Sequence, residues 1–227
     1  LARAGRLPGL AWSMERVYRL FLRWRPALQL IARAFVDAGA SETLTPRVVA
    51  DLRSDHAGET GAVAIYRGIL FVARDSALRA FAQRHLHTEQ QHLEQMQAWL
   101  PSSVRSRLLP AWRAAGWATG ALPTLFGPAA VYATIAAVET FVDRHYAEQI
   151  AHLQGTPGPA GLLDMLLSCQ ADECAHRDES AALAPARAGL ALRLWCRLVG
   201  AGSAAAVALA RRFWAAEAGA SIRIHSC

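Results

Sequence analysis

Residues 59–92 read ETGAVAIYRGILFVARDSALRAFAQRHLHTEQQH, and residues 139–176 read ETFVDRHYAEQIAHLQGTPGPAGLLDMLLSCQADECAH. Aligned with one another, the two stretches repeat. Each opens on Glu-Thr (Glu59-Thr60, Glu139-Thr140), places a tyrosine seven residues after the Glu (Tyr66, Tyr146), and closes on Glu-x-x-His (Glu89 with His92, Glu173 with His176). The two glutamates of a unit stand 30 residues apart in the first and 34 in the second. The helix-breaking run GTPGPAG at 155–161 absorbs the difference.

Working outward, four long helical segments are expected over 47–73, 77–99, 129–153 and 161–182, with a fifth over 187–214. Ser41, Thr43 and Thr45 are capping candidates for the first, and a charged turn at Arg74-Asp75-Ser76 joins the first pair. Residues three apart on a helix share a face, so Glu89 and His92 point together, as do Glu173 and His176. One further glutamate from each of the other two helices, Glu59 and Glu139, completes the carboxylate–histidine set of a four-helix metal bundle. The predicted fold is therefore all-α, a ferritin-like four-helix bundle made of two helix-pair repeats, with extra N- and C-terminal helices for membrane-surface attachment. Four carboxylates with two imidazoles suit iron or manganese, and two iron ions per chain are expected.

Surface decoration is the competing explanation. Ten Glu and eight His in 227 residues give by chance roughly one-third of an E-x-x-H pair. Two such pairs, each about 30 residues after an E-T-x5-Y, are hard to produce that way. Glu148 with His152, His92 with Glu94 and His176 with Asp178 have no counterpart in the other repeat and read as solvated or outlying pairs. His85, His87 and His225 read as surface histidines, while His56 and His145 lie near the ligand helices. Asp172, just before Glu173, is placed to fix the distal nitrogen of His92, whereas Thr88 holds the equivalent position in the first repeat. Tyr66 and Tyr146 sit two turns from their glutamates, for core packing or for a role at the site.

Composition sets the surroundings. The chain is 53% hydrophobic with net charge +6, and all its basic residues are arginine. Codon bias explains the missing lysines better than selection for phosphate binding. A basic surface favours anionic lipid over nucleic acid here, since no base-reading module is visible. Residues 1–36 are Arg-rich and nearly free of acid, like a transit peptide or a membrane-surface helix, and 14–36 reads as a basic amphipathic helix. From Ala114 to Val138 there is no charge, but Pro123, Gly127 and Pro128 interrupt the run, so a crossover dipping into the lipid interface is preferred to a span. The uncharged run Leu198–Ala210 reads as too short to span. The four cysteines form no C-x-x-C pair and are expected as reduced thiols. The expected division is a basic segment over 1–45, the metal bundle over 46–183 and a C-terminal helix and tail over 184–227.

The strings DHAGETGA (55–62), TEQQH (88–92), AVET (137–140) followed by His145-Tyr146, and DECAH (172–176) resemble the demethoxyubiquinone hydroxylase family of ubiquinone biosynthesis, over about residues 45–182. The resemblance implies a membrane-attached di-iron monooxygenase that uses dioxygen to hydroxylate the ring of a demethoxy polyprenyl benzoquinol. It also implies that His145 and Tyr146 lie near the iron and serve substrate or electron handling. The expected place is the cell inner membrane, peripheral, on its cytoplasmic face, with a lipid surface and a lipid-binding protein as partners and no nucleic acid. A ferroxidase or rubrerythrin-like peroxidase is the rival enzyme, although the C-x-x-C module of a rubrerythrin is missing. A membrane scaffold is the rival outside enzymology.

Overall fold

Thr45 starts the first helix by accepting a hydrogen bond from the Val48 backbone amide at 3.3 Å, with Pro46 preset in the first turn. The computed structural model describes residues 44–155 and 159–217, with side chains through residue 208. The expected N-terminal helix, the caps Ser41 and Thr43, and His225 lie outside the described residues. Six α-helices and one short 3-10 turn (Ser102–Val104) are described: α1 (Pro46–Val72), α2 (Ser76–Trp99), α3 (Leu109–Thr124), α4 (Pro128–Gln154), α5 (Leu162–Leu183) and α6 (Leu190–Glu217). No strand occurs among the described residues. The architecture is the expected all-α bundle.

The four ligand-bearing helices appear within a residue or so of expectation. Asp75 caps α2 by accepting from the Leu78 amide at 2.7 Å, so the charged turn is a helix start. Gly127 and Gly161, at φ 96° and 83°, begin α4 and α5 in a conformation that a side chain would strain. α1 packs on α2, and α4 packs on α5.

The crossover includes a helix the sequence reading did not separate: residues 109–124 form α3 and lie along α1. Small residues permit this. A Cβ on Gly116 or Gly120 would collide with the backbone of Gly61 or Ile65, and one on Gly68 with the backbone of Trp117. Gly116, Gly120 and Ala121 are buried against α1 by this backbone-to-backbone contact, while Trp117 and Leu122 face outward. As a result eighteen of the 27 residues of α1 are buried, with Arg67 and Phe71 left exposed. The break at Leu125–Gly127 stops the uncharged stretch from forming one span.

The last helix, α6, matches the segment expected over 187–214, and its window Leu190–Ala208, longer than the uncharged run Leu198–Ala210, is long and apolar enough to cross a membrane by length and composition. It packs on α4 and α1, and Trp195 Nε1 donates to Thr134 Oγ1 at 3.0 Å. Cys169, Cys174 and Cys196 are free thiols.

Two apolar layers bracket the middle of the bundle. One gathers Leu52, Met96, Leu100, Ile150, Leu162 and Leu166. The other gathers Ile65, Ile69, Leu78, Phe81, Val131 and Ile135. Between them, each ligand helix brings polar side chains inward.

Candidate metal centre

On α2, positions 85, 89, 92 and 96 fall on one helical face, and all four side chains are buried. On α5 the same face carries Cys169, Glu173, His176 and Ser180, all buried. α1 and α4 contribute Glu59 and Glu139 from opposite sides. The result is a polar layer closed at both ends by hydrocarbon.

The six predicted residues form two overlapping clusters. Glu59, Glu89, His92 and Glu173 bring one ligand atom each within 4.8 Å of one another, and so do Glu89, Glu139, Glu173 and His176. Glu89 and Glu173 belong to both. His92 Nδ1 lies 3.1 Å from Glu173 Oε1 and 3.9 Å from both Glu59 Oε2 and Glu89 Oε2. His176 Nδ1 lies 3.1 Å from Glu89 Oε1.

Four buried carboxylates at this spacing need compensating positive charge. Burial, and then the charge of Glu173, push Glu59 up to about 7 and hold Glu89 and Glu139 well above the usual carboxylate range. Burial also raises Glu173, but the neighbouring imidazoles of His176 and His92 outweigh it and hold that carboxyl low. Burial lowers His92, yet its bonds to Glu173 and its other acidic neighbours bring it up to about 9. Glu59 Oε2, both oxygens of Glu89, Glu173 Oε2 and His176 Nδ1 are buried with no hydrogen-bond partner among the described residues. Buried donors left this way, all oxygen and imidazole, fit a hard divalent cation.

Supporting contacts hold the ligands. Asp172 Oδ2 lies 3.1 Å from His92 Nε2, so Asp172 holds the proton on that nitrogen and leaves Nδ1 facing the cluster, where a bound metal would take the place of its proton. Tyr146 donates to Glu59 Oε1 at 2.6 Å, and Tyr66 donates to Glu139 Oε1 at 3.2 Å. Both tyrosines, left open between packing and site, do both. His145 Nε2 lies 2.9 Å from Asp55 Oδ1, which also accepts from Gln149 Nε2 at 2.7 Å. His145 lines the wall of the cavity onto which the carboxylates open.

Two histidines differ from the sequence reading. His85, expected on the surface, is 1% exposed, and its ring stacks on His176 at 4.0 Å between centroids. Its position one turn before Glu89 was the available signal. Burial, followed by the neighbouring His176, lowers it to about 4. His56 is 2% exposed with neither ring nitrogen hydrogen-bonded, and burial with Arg105 and Arg113 lowers it to about 4. His87 is exposed, as expected.

A cavity of about 500 Å³ opens onto this cluster. Glu59, Glu89, Glu139 and Glu173 stand at its floor, and its walls come from α1, α3, α4 and α6, with Trp112, Phe141, Trp195 and Leu198 among them. Sequence reading missed this space, because the helices α3 and α6 that wall it had been assigned to the membrane surface.

Comparison with known proteins points the same way. The sequence matches the family described as "Ubiquinone biosynthesis protein COQ7" over residues 47–210. A Mus musculus protein named NADPH-dependent 3-demethoxyubiquinone 3-hydroxylase, mitochondrial, is 34% identical over 170 residues, covering 71% of this chain and 76% of that protein. The Homo sapiens protein of the same name is 32% identical over 195 residues, covering 79% and 89%. A Rhodospirillum rubrum protein named 3-demethoxyubiquinol 3-hydroxylase is 35% identical over 160 residues, covering 63% and 74%.

Proposed function

This chain belongs to the ubiquinone biosynthesis protein COQ7 family, and from that premise we propose that it is a di-iron monooxygenase hydroxylating the ring of demethoxy polyprenyl benzoquinol in ubiquinone biosynthesis. The observation that carries this reading is the apolar cavity whose floor is the carboxylate cluster. A ferroxidase or peroxidase needs no such chamber beside its metals, so the cavity favours hydroxylation of an apolar ring.

Glu59, Glu89, His92, Glu139, Glu173 and His176 would hold two iron ions, and Glu89 and Glu173 belong to both clusters. When bound, the iron pair supplies the activation of dioxygen. The protein's own part is positioning. Asp172 orients His92, while the phenols of Tyr146 and Tyr66 hold Glu59 and Glu139. The aromatic and aliphatic walls admit the quinol ring and exclude water from it. His145 and Tyr146, side by side on α4, take the substrate-facing roles.

A polyprenyl quinol dissolves in the bilayer, so its hydroxylase works at the lipid surface. Phe71, Trp117, Leu122, Leu125 and Phe126 are exposed, as are Leu190, Leu194 and Leu198 of α6, and these apolar faces support peripheral attachment to a membrane. The same reading places the enzyme on the cytoplasmic face of the inner membrane, with a lipid-binding protein as partner. It divides the chain into a basic segment over 1–45, the di-iron bundle over 46–183, and a C-terminal helix and tail over 184–227 whose α6 also walls the cavity.

The test is Glu173→Ala expressed in cells that lack the native hydroxylase. Loss of demethoxyubiquinone conversion with retained helicity is the expected result, and normal ubiquinone levels would reject the assignment.

A further inference from the structure

The repeat that supplies the ligands breaks down on one wall of the cavity. Ser54 and Asp55 stand five and four residues before Glu59, and His145 and Gln149 stand six and ten after Glu139. The matching positions of the other repeat are Thr134 and Ile135, and Ile65 and Ile69. Those three isoleucines belong to an apolar layer of the core. Where they stand at one end of the bundle, Asp55, His145 and Gln149 are buried at the other. His145 Nε2 lies 2.9 Å from Asp55 Oδ1, Gln149 Nε2 donates to the same oxygen at 2.7 Å, and Ser54 Oγ lies 3.4 Å from His145 Nε2. Asp55 Oδ2 is buried with no hydrogen-bond partner among the described residues. A carboxylate only half satisfied costs stability where the isoleucines would contribute it, so folding alone does not account for the exchange.

The cavity does. Ser54, Asp55 and His145 line it beside Phe141, whose ring lies within 11° of parallel to that of His145, and most of the remaining wall is hydrocarbon. Every polar contact of His145 runs through Nε2, including 2.9 Å to Gln149 Nε2, and Nδ1 takes part in none among the described residues. The Asp55 carboxylate keeps a proton on Nε2, which leaves Nδ1 of the neutral ring as an acceptor. We propose that Asp55 is a positioning residue for the substrate: it fixes His145 so that Nδ1 accepts a hydrogen bond from a ring hydroxyl. The identity of that ring rests on the monooxygenase reading. A flat ring in an apolar chamber can turn in its own plane, and one directed contact sets which carbon faces the carboxylate floor. The contact also selects a quinol, since a quinone or ether oxygen has no proton to give.

The experiment uses the full chain with bound Fe(II), kept anaerobic so that nothing turns over. Its probes are a demethoxy benzoquinol with a short prenyl tail and the dimethyl ether of the same quinol. Quenching of tryptophan fluorescence reads binding, because Trp112 and Trp195 line the cavity. The unaltered chain should bind the quinol on the order of tenfold more tightly than the ether. In Asp55→Asn, which keeps the shape of the side chain, and in His145→Phe, the two probes should bind about equally, with the loss falling on the quinol. In air, Asp55→Asn should lower hydroxylation on the order of tenfold while the bound Fe(II), without quinol, is oxidised at an unchanged rate. Loosened packing would not produce that split. A quinol preference that survives in Asp55→Asn overturns the role of Asp55, whatever His145→Phe does, and so does equal binding of both probes by the unaltered chain. A preference that depends on Asp55, in a chain that hydroxylates nothing, keeps the positioning role and rejects the monooxygenase reading instead.

Discussion

Asp172 and His92 meet across the α2–α5 interface, carboxylate Oδ2 to imidazole Nε2 at 3.1 Å, so that the other ring nitrogen faces the buried glutamates. The Asp172 side chain is 51% exposed and carries no part of the core. Its contribution is the tautomer and orientation of His92.

Asp172→Ala should therefore weaken metal binding by about 10–100-fold while leaving the fold intact. Anaerobic Fe(II) or Mn(II) titration checks this, with circular dichroism as the control. Unchanged affinity would show that His92 is oriented by packing alone.

The buried carboxyls predict a pH dependence of the metal-free protein. A carboxyl whose folded value is raised, as for Glu59 from 4.5 to about 7, stabilises the fold below its unfolded value and loses that contribution as pH rises through 7. Glu89 and Glu139 act in the same sense, and His92, raised to about 9, loses its contribution as pH rises toward that value. His56 and His85 have the opposite slope, but their window lies between about 4 and 6.5. Between pH 6.5 and 9, melting temperature in chelator should fall as pH rises, and divalent metal should reverse the trend while releasing protons. A flat profile would contradict the compensated-carboxylate account.

Close contact between α1 and α3 should be sensitive to a single methyl group. Gly120→Ala pushes a Cβ into the Ile65 carbonyl and should cost about 1–3 kcal/mol, the usual cost of overpacking. Gly202, whose Cβ would meet nothing within 4 Å, is the matched control and should tolerate alanine. Equal melting temperatures for the two variants would argue against the packing described.

Membrane attachment should depend on the α3–α4 corner, where Leu125 is 67% and Phe126 82% exposed. Replacing both with serine removes apolar surface from the outside and none from the core. Reduced co-sedimentation with anionic vesicles, without a change in melting temperature, is the expected outcome. Binding equal to that of the unaltered chain would remove this corner from the membrane face.

Much of the molecule was legible in the chain itself. Helical period, breakers and caps located α1, α2, α4 and α5, because those signals are local: Asp75 and the 155–161 run act within a turn of where they stand. The repeat placed the two Glu-x-x-His pairs and the two lone glutamates on inward faces by geometry alone. What only the tertiary structure decided was contact between distant segments. The uncharged residues 114–124 read as a crossover dipping into the lipid interface, and the contact of their glycines with those of α1 shows only when the two backbones are side by side. His85 looks like any surface histidine until Tyr66 and Glu179, 19 residues before it and 94 after it, come within hydrogen-bond reach. The cavity exists only because α3 and α6 fold back over α1 and α4. Local patterns encode which face of a helix is buried. They do not encode what that face is buried against.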